Sequence, residues 1–78
     1  MEKFILYLVK ELVAKPDIAE VETKQDGKVT IFVIKVAKSD LGKVIGKNGN
    51  IISAIRTLSK NISTLKNKFV IKVEARDE

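Results

Sequence analysis

Two glycines three positions apart, Gly46 and Gly49, enclose a basic and a polar residue in the segment V-I-G-K-N-G-N-I-I at positions 44–52. A loop that lets phosphate approach its main chain cannot carry Cβ atoms at the points of contact, and glycine gives that access. Lys47 adds a positive charge, and Asn48 tolerates left-handed backbone angles or donates a hydrogen bond. These residue types at this spacing predict a loop that contacts phosphate.

Apolar residues at helical spacing follow the loop, so a helix should begin directly after it. They are Ile51, Ile52, Ala54, Ile55, Leu58 and Ile62. The free N–H groups of its first turn would point towards the same place, where an anion is favoured. Core packing is the expected role of most of these side chains, and only those nearest to the loop are candidates for a ligand groove.

Positive charge is concentrated around this loop. The chain carries 15 basic and 10 acidic residues, and residues 38–68 hold seven of the basic ones against a single acidic residue, Asp40. The seven are Lys38, Lys43, Lys47, Arg56, Lys60, Lys66 and Lys68. A basic face is often only solvated surface, but beside a phosphate-binding loop it favours a polyanionic partner. Lys43 and Arg56 are further candidate contacts, with plain solvent exposure an open alternative for Arg56.

A helix over residues 2–14 is predicted at the start of the chain, because apolar residues recur there at helical spacing and Pro16 stops the element. Its apolar stripe spans roughly 200° of the circumference, wider than the face that a surface helix normally buries. Part of the stripe could therefore contact a second chain, and ordinary core packing is the alternative.

A β-hairpin is predicted next, with strands at residues 19–25 and 28–36 joined by Asp26-Gly27, a strong two-residue turn signal. The expected pairs are Gln25 with Lys28, Thr23 with Thr30, and Val21 with Phe32. One face, which should meet the helices, would then carry Val21, Phe32, Ile34 and Val36. The other would carry Val29, Ile31 and Val33 beside Glu20, Glu22 and Lys24, whose stems could shield the aliphatic surface or border a modest contact patch.

The second half should contain two helices and a strand. Ser39 is a candidate N-cap for a short helix that Gly46 ends, and close helix packing would account for Gly42 inside it. A helix over residues 50–62, a polar loop over 63–68 and a strand over 69–73 complete the order αββααβ. The last strand would lie parallel to residues 28–36, which gives a three-stranded mixed sheet packed against three helices, an α+β fold.

Composition argues against an enzyme. The chain has no cysteine and no histidine, and no nucleophile–base pair or metal-ligand spacing occurs, so we expect neither catalytic residues nor a metal or cofactor. The glycine loop also lacks the nucleotide-binding pattern G-x-x-x-x-G-K-[ST]. Seventy-eight residues suit one domain, residues 1–78. No signal peptide or membrane span is predicted, so a cytoplasmic protein is expected.

The run G-K-V-I-G-K-N-G-N-I-I at positions 42–52 resembles the V-I-G-x-x-G-x-x-I signature of KH domains. A helix and hairpin before it and one strand after it resemble the type II arrangement of that fold. The resemblance covers essentially the entire chain, and within the superfamily the chain is similar to the KhpA-like family of small bacterial single-KH proteins.

This resemblance implies binding of single-stranded RNA, with about four nucleotides clamped beside the loop. Residues 46–49, Gly46-Lys47-Asn48-Gly49, would lie on the sugar-phosphate side. Val44, Ile45 and Ile52 match the aliphatic positions of the signature and would form the groove floor or the core. The resemblance further implies an RNA chaperone or post-transcriptional regulator that forms a homodimer and pairs with a larger Jag-type KH protein.

Residues 38–68 contain no Phe, Tyr or Trp, so stacking of bases on aromatic rings cannot supply affinity there. Binding by one such domain should be weak and strongly dependent on salt. Two alternatives stay open. One is a protein-interaction module that retains the KH scaffold and binds little or no nucleic acid, and the other is binding of single-stranded DNA, since phosphate contacts carry no information about the sugar.

Overall fold

The structure is a computed structural model that describes residues 1–62 and 68–76. Its elements are α1 (Glu2–Leu12), β1 (Glu20–Asp26), β2 (Val29–Ala37), α2 (Leu41–Ile45), α3 (Asn50–Ile62) and β3 (Phe69–Arg76). In the sheet β2 lies in the centre, antiparallel to β1 and parallel to β3. The predicted α+β fold of order αββααβ, with three helices and a three-stranded mixed sheet, is confirmed.

The core lies between the sheet and the helices. Its buried members are Ile5, Val9, Ala19, Val21, Phe32, Ile34, Val36, Val44, Ile52, Ile55 and Ile71. All four side chains predicted to face the helices from the hairpin belong to this cluster. Phe32 and Phe69 meet edge to face, with ring centroids 6.0 Å apart, across the parallel pair of strands. Burial of each large side chain contributes about 1.5–3 kcal/mol, so this cluster is the main source of stability.

The hairpin turn lies one residue later than predicted. Asp26 pairs with Val29, which leaves Gly27 and Lys28 as the turn, and Gly27 alone takes a positive φ, 61°. A type II′ turn needs glycine at its first central position, whereas a turn at Asp26-Gly27 would have required left-handed angles at Asp26 as well. The predicted pairs of Gln25, Thr23 and Val21 are wrong, and their partners are Thr30, Phe32 and Ile34. Because the register shifts by two residues, every side chain keeps its predicted face.

Helix α1 ends at Leu12, two residues earlier than predicted, because a buried carboxylate binds the chain that follows. The Asp40 carboxylate accepts hydrogen bonds from the backbone N–H groups of Ala14 at 3.1 Å and Lys15 at 3.0 Å. Val13 is already extended, at φ −91° and ψ 154°. Asp40 has no exposed surface, although Lys38 and Ser39 directly before it in sequence are exposed. It therefore connects the loop after α1 to the start of α2.

The structure differs from three smaller predictions. Ser39 is not an N-cap, because the helical turn that precedes α2 already begins at Lys38 and no side chain caps it. Close packing does not explain Gly42, since a Cβ there would meet no described atom within 4 Å. Strand β3 continues to Arg76, three residues beyond its predicted end. The predicted loop at 63–68 lies, apart from Lys68, outside the described residues, as does Lys66.

None of the described helices covers the outer face of the sheet, yet Val33 in its centre is only 2% exposed. Val33 lies between Glu22 on β1 and Lys72 on β3. The low exposure of Val33 agrees with the expected shielding of aliphatic surface by long charged side chains, which stays a prediction. In the part of the chain that the structure describes, no helix combines the length and the apolar content needed to cross a bilayer.

The Asp40 contacts predict a specific dependence of stability on pH. Burial alone would raise the pKa of Asp40, but the N–H groups of Ala14 and Lys15 and the Lys43 ammonium, 3.4 Å away, outweigh it and hold the pKa below its usual value. A carboxyl with a lowered pKa in the folded state stabilises the protein above the ordinary value of about 3.9, and this contribution is lost as pH falls through the folded-state pKa.

We expect Asp40→Asn to lower the free energy of unfolding at pH 7, because one acceptor oxygen is replaced by a donor facing backbone N–H groups. The difference from wild type should shrink as the pH falls below 4. Urea denaturation between pH 7 and pH 3 measures both effects, with exposed Asp17→Asn as the control. Parallel pH profiles for wild type and Asp40→Asn would contradict the assignment.

Candidate nucleic-acid interface

The glycine loop begins where α2 ends. Gly46 takes φ 76° and ψ 173°, which only glycine adopts readily, and its N–H donates to the carbonyl of Gly42 at 2.8 Å. The predicted helix end at Gly46 is therefore confirmed. The Gly49 N–H then donates to the Gly46 carbonyl at 3.2 Å, which closes a single tight turn before α3 begins at Asn50.

Two neighbouring residues in this turn have backbone angles of opposite hand. Lys47 is helical, whereas Asn48 is left-handed at φ 57° and ψ 24°. Asn48 is the only non-glycine residue with a positive φ in the described part of the chain. Alternation of this kind turns successive N–H groups towards one side and forms an anion-binding concavity. Lys47 and Asn48 have this backbone pattern, with the Gly49 N–H already donating to the Gly46 carbonyl, and the exposed Lys47 side chain adds a positive charge.

Gly46 lies against the first turn of α3. A Cβ at this position would be 2.6 Å from Cγ1, 2.9 Å from Cβ and 2.9 Å from the backbone nitrogen of Ile51. No side chain can be accommodated there without moving the helix or the loop. At Gly49 the nearest atom to an added Cβ would be Cγ2 of Ile52 at 3.9 Å, so only its φ of 75° requires glycine.

The aliphatic residues beside the loop differ in what they expose. Val44 has no exposed surface and Ile52 is 7% exposed, so both belong to the core and support the loop from beneath. Ile45 is 38% exposed and Ile51 is half-buried. Of the three aliphatic positions predicted to form a groove floor, only Ile45 presents substantial surface.

The basic residues occupy separate places. Lys43 is exposed on α2, with its ammonium 3.4 Å from the Asp40 carboxylate. Arg56 donates from Nη2 to the carbonyl of Ile71 on β3 at 3.4 Å. It lies six residues after Asn50, about 9 Å along the helix axis from the loop. Lys43 therefore precedes Gly46 on α2 and Lys47 follows it in the loop, whereas Arg56 contacts the edge strand β3.

An apolar groove between α1 and α3 begins next to the loop. Its volume is about 320 Å³, and it is lined by Leu8, Glu11, Leu12, Asn50, Ile51, Ala54, Ile55 and Leu58. The wide stripe of α1 is therefore divided: Ile5 and Val9 are buried in the core, whereas Leu12 remains 37% exposed. Sequence periodicity predicted the wide apolar stripe of α1. It did not predict that α3 leaves apolar side chains exposed on the other side of the groove, where Leu58 is 47% exposed.

A G-x-x-G loop between two helices, set on a mixed three-stranded sheet of order αββααβ, defines a KH domain of the type II arrangement. The family model described as "KhpA/KhpB, KH domain" matches residues 2–75. The chain belongs to this family.

Curated relatives agree with this assignment over most of their length. The chain is 36% identical over 78 residues to a protein of Chlamydia pneumoniae, which covers 100% of this chain and 99% of that one. It is 42% identical over 67 residues to a protein of Chlamydia trachomatis, which covers 86% of each chain. A protein of Caldanaerobacter subterraneus is 42% identical over 71 residues, covering 91% of this chain and 95% of that one. Each is named RNA-binding protein KhpA.

The two loop glycines should differ in their response to alanine. Gly46→Ala combines an unfavourable φ with overlap against Ile51, so it should destabilise the fold by more than about 2 kcal/mol. Gly49→Ala brings only the left-handed φ, at a cost of about 1–2 kcal/mol. Chemical denaturation of both variants measures the difference. Equal losses would show that the contact between Gly46 and Ile51 does not constrain the loop.

Proposed function

We propose that this protein binds short single-stranded RNA, without catalysis, through the loop at residues 46–49 and the surface beside it. The observation that carries the proposal is the alternating backbone at Lys47 and Asn48, held by a glycine that packs directly on α3. The names of the relatives support RNA as the ligand, and the excess of basic residues around the loop supports a polyanion.

In the proposed complex the phosphate backbone of the RNA lies against the loop tip. The N–H groups there and the N-terminus of α3 attract a phosphate, and Lys47 follows it as a mobile charge. Lys43 offers a second cation on the other side of Gly46, positioned by its contact with Asp40. Exposed Ile45 offers aliphatic surface to a base or ribose. Val44 and Ile52 act indirectly, by fixing α2 and α3 from within the core.

The chemistry of the surface sets the expected affinity. Positions 38–68 offer no aromatic ring on which a base could stack, an interaction that supplies roughly 1–3 kcal/mol. Phosphate contacts then provide most of the binding energy, and each should contribute about −0.7 to the slope of log affinity against log salt concentration. One loop should bind weakly, and several loops joined in an oligomer or on one RNA should bind more tightly.

A non-catalytic role agrees with the residue types available. The chain lacks cysteine and histidine, and its described residues contain no group of three or more His, Cys, Asp or Glu side chains that could hold a metal ion. We therefore propose an RNA chaperone or post-transcriptional regulator in the cytoplasm, formed by one KH domain over residues 1–78. We also propose that Arg56 contacts a phosphate when the bound RNA continues along α3.

Charge reversal in the loop tests the proposal directly. Lys47→Asp with Asn48→Asp places two carboxylates where the phosphate should lie and leaves both glycines intact. Lys60→Asp with Asn61→Asp makes the same chemical change in the same dipeptide, at exposed positions near the far end of α3. We expect the loop variant to weaken RNA binding by at least roughly tenfold, about 1.4 kcal/mol, and the control by much less.

Fluorescence anisotropy with a labelled five-nucleotide RNA and the matching DNA, at two salt concentrations, measures this effect. Circular dichroism confirms that both variants are folded. Equal RNA affinity of wild type and the loop variant would reject the loop as the site and favour a protein-interaction role for the KH scaffold. Equal affinity for the RNA and the matching DNA would extend the ligand class to single-stranded DNA.

We further propose that two copies associate through the groove between α1 and α3. Of its eight lining residues only Glu11 is charged, and Leu12 and Leu58 project beside the small side chain of Ala54. Under a two-fold axis the projecting leucines of one copy would face the trough of the other, as an isologous interface requires. A larger Jag-type KH protein remains a proposed second partner.

Leu58→Glu should weaken this self-association, because a charge would be buried at the interface, and should leave the monomer folded because Leu58 is half exposed. Val70→Glu is the matched control, since Val70 is 42% exposed on the outer face of the sheet. Sedimentation equilibrium over a range of concentrations measures the dimer constant. A monomer at every concentration, or equal dimerisation of wild type and Leu58→Glu, would contradict the proposed interface.

A further inference from the structure

The outer face of the sheet, which none of α1, α2 and α3 covers, differs in charge between its two ends. Strand register places its outward side chains in four rows across β1, β2 and β3. The rows are Glu20–Lys35–Glu74, Glu22–Val33–Lys72, Lys24–Ile31–Val70 and Asp26–Val29–Lys68, in order towards the hairpin turn. For Lys68, just before β3, the register is given by the hydrogen bond from the Thr30 N–H to its carbonyl at 3.1 Å.

At the end away from the hairpin turn, cations and carboxylates neutralise each other. Lys35 donates to Glu22 at 2.9 Å, and Arg76 reaches Glu20 at 2.6 Å. The hydrogen bond between Lys35 and Glu22 lowers the pKa of the carboxyl and raises the pKa of the ammonium, so both stay charged at neutral pH. These cations are already engaged and offer little to a ligand.

The hairpin end differs. Lys24, Lys68 and Lys72 are exposed, and none of the three forms an ion pair within the described part of the chain. They surround an aliphatic centre formed by half-buried Ile31 and by Val70, which is 42% exposed. We call these five residues the lysine face.

The lysines are spaced widely around that centre. With strands about 4.8 Å apart and a rise of about 3.3 Å per residue, the Cα atoms of Lys68 and Lys72 lie about 13 Å apart. Lys24 lies across the sheet, about 12 Å from Lys72. Ile31 and Val70 occupy the space between them. Three flexible, hydrated ammonium groups around a shallow aliphatic patch can follow an extended anionic chain, but they cannot form a tight pocket.

We propose that the lysine face is a second binding surface for single-stranded RNA, separate from the glycine loop. The ammonium groups would contact phosphates, and the aliphatic centre would accept a base or ribose by apolar contact. Three lysines against the single carboxylate of Asp26 in the neighbouring row are complementary to a polyanion. Half-buried Ile31 and exposed Val70 offer far too little surface for a stable protein interface, which buries about 800 Å² on each partner. The face has no aromatic side chain, so it should discriminate little between sequences.

This surface goes beyond the proposed function of the loop and does not depend on it. The loop joins two helices, whereas the lysine face lies on the side of the sheet that the helices do not cover. One chain could therefore hold two RNA segments on opposite layers. A protein of this kind would bring strands together, which is the action expected of an RNA chaperone.

The test compares three variants of the full chain in fluorescence anisotropy, with a labelled five-nucleotide and a labelled twenty-nucleotide RNA of mixed sequence. Lys24→Gln with Lys72→Gln removes two charges from the lysine face and keeps a long polar side chain at each position. Lys3→Gln with Lys10→Gln removes two charges from exposed positions on α1 and is the matched control. The loop variant with aspartate at positions 47 and 48 isolates binding outside the loop.

We expect the sheet variant to lower affinity for the twenty-nucleotide RNA by about three- to tenfold and to reduce its salt slope by about 1.4, twice the value for one phosphate. Affinity for the five-nucleotide RNA should change no more than in the control. The loop variant should retain weak binding of the longer RNA, and adding the two sheet substitutions should abolish it.

Equal affinities and salt slopes for the sheet variant and the control variant would overturn the lysine face as a binding surface. The result is distinguishable from failure of the loop proposal, which would appear as unchanged binding of the five-nucleotide RNA by the loop variant. The inference would also be overturned if the loop variant binds the longer RNA and adding the two sheet substitutions does not reduce that binding. Stronger binding to the matching DNA than to RNA would reject RNA as its ligand.

Discussion

The contact between Gly46 and the first turn of α3 is the constraint on which the candidate site depends. With an added Cβ only 2.6 Å from the Ile51 side chain, the main chain at Gly46 lies directly on the helix. This contact brings the end of α2, the loop and the start of α3 into one compact unit. The proposed binding of an anion by the backbone of Lys47 and Asn48 depends on this packing of the loop against α3.

Two buried features position this unit within the fold. Val44 and Ile52 anchor the helices on both sides of the loop in the core, and Asp40 joins the start of α2 to the chain after α1. The Asp40 carboxylate also lies 3.4 Å from the Lys43 ammonium. A single charged group thus links the packing of the first helix to a cation beside the loop.

Much of this organisation could be predicted from the sequence, because it follows from strong local signals. The bounds of α3 at residues 50–62, the end of α2 at Gly46 and the inward face of the hairpin all follow from apolar periodicity and glycine chemistry. The hairpin register could not be predicted, because the Asp-Gly pair can occupy either of two adjacent positions in a turn. In the structure only Gly27 of the turn has a positive φ, and the turn lies at Gly27-Lys28.

The burial of Asp40 could not be predicted from the sequence, because an acidic residue at a helix start is normally exposed. Its partners Ala14 and Lys15 are also about 25 positions away in sequence. For the same reason, periodicity identified aliphatic residues near the loop but could not separate Val44 and Ile52, which are buried, from Ile45. The groove between α1 and α3 required knowledge of how the two helices pack. Side-chain identity predicts an element well, whereas contacts distant in sequence decide which residues are exposed.

In the proposed complex the backbone of the loop contacts RNA. Titration of isotopically labelled protein with a four-nucleotide RNA, followed by amide chemical shifts in NMR spectra, tests it most directly. We expect the largest, saturable shifts at the amides of residues 47–51, with smaller shifts at Lys43 and Ile45. Shifts absent at millimolar RNA, or confined to elements away from the loop, would contradict it.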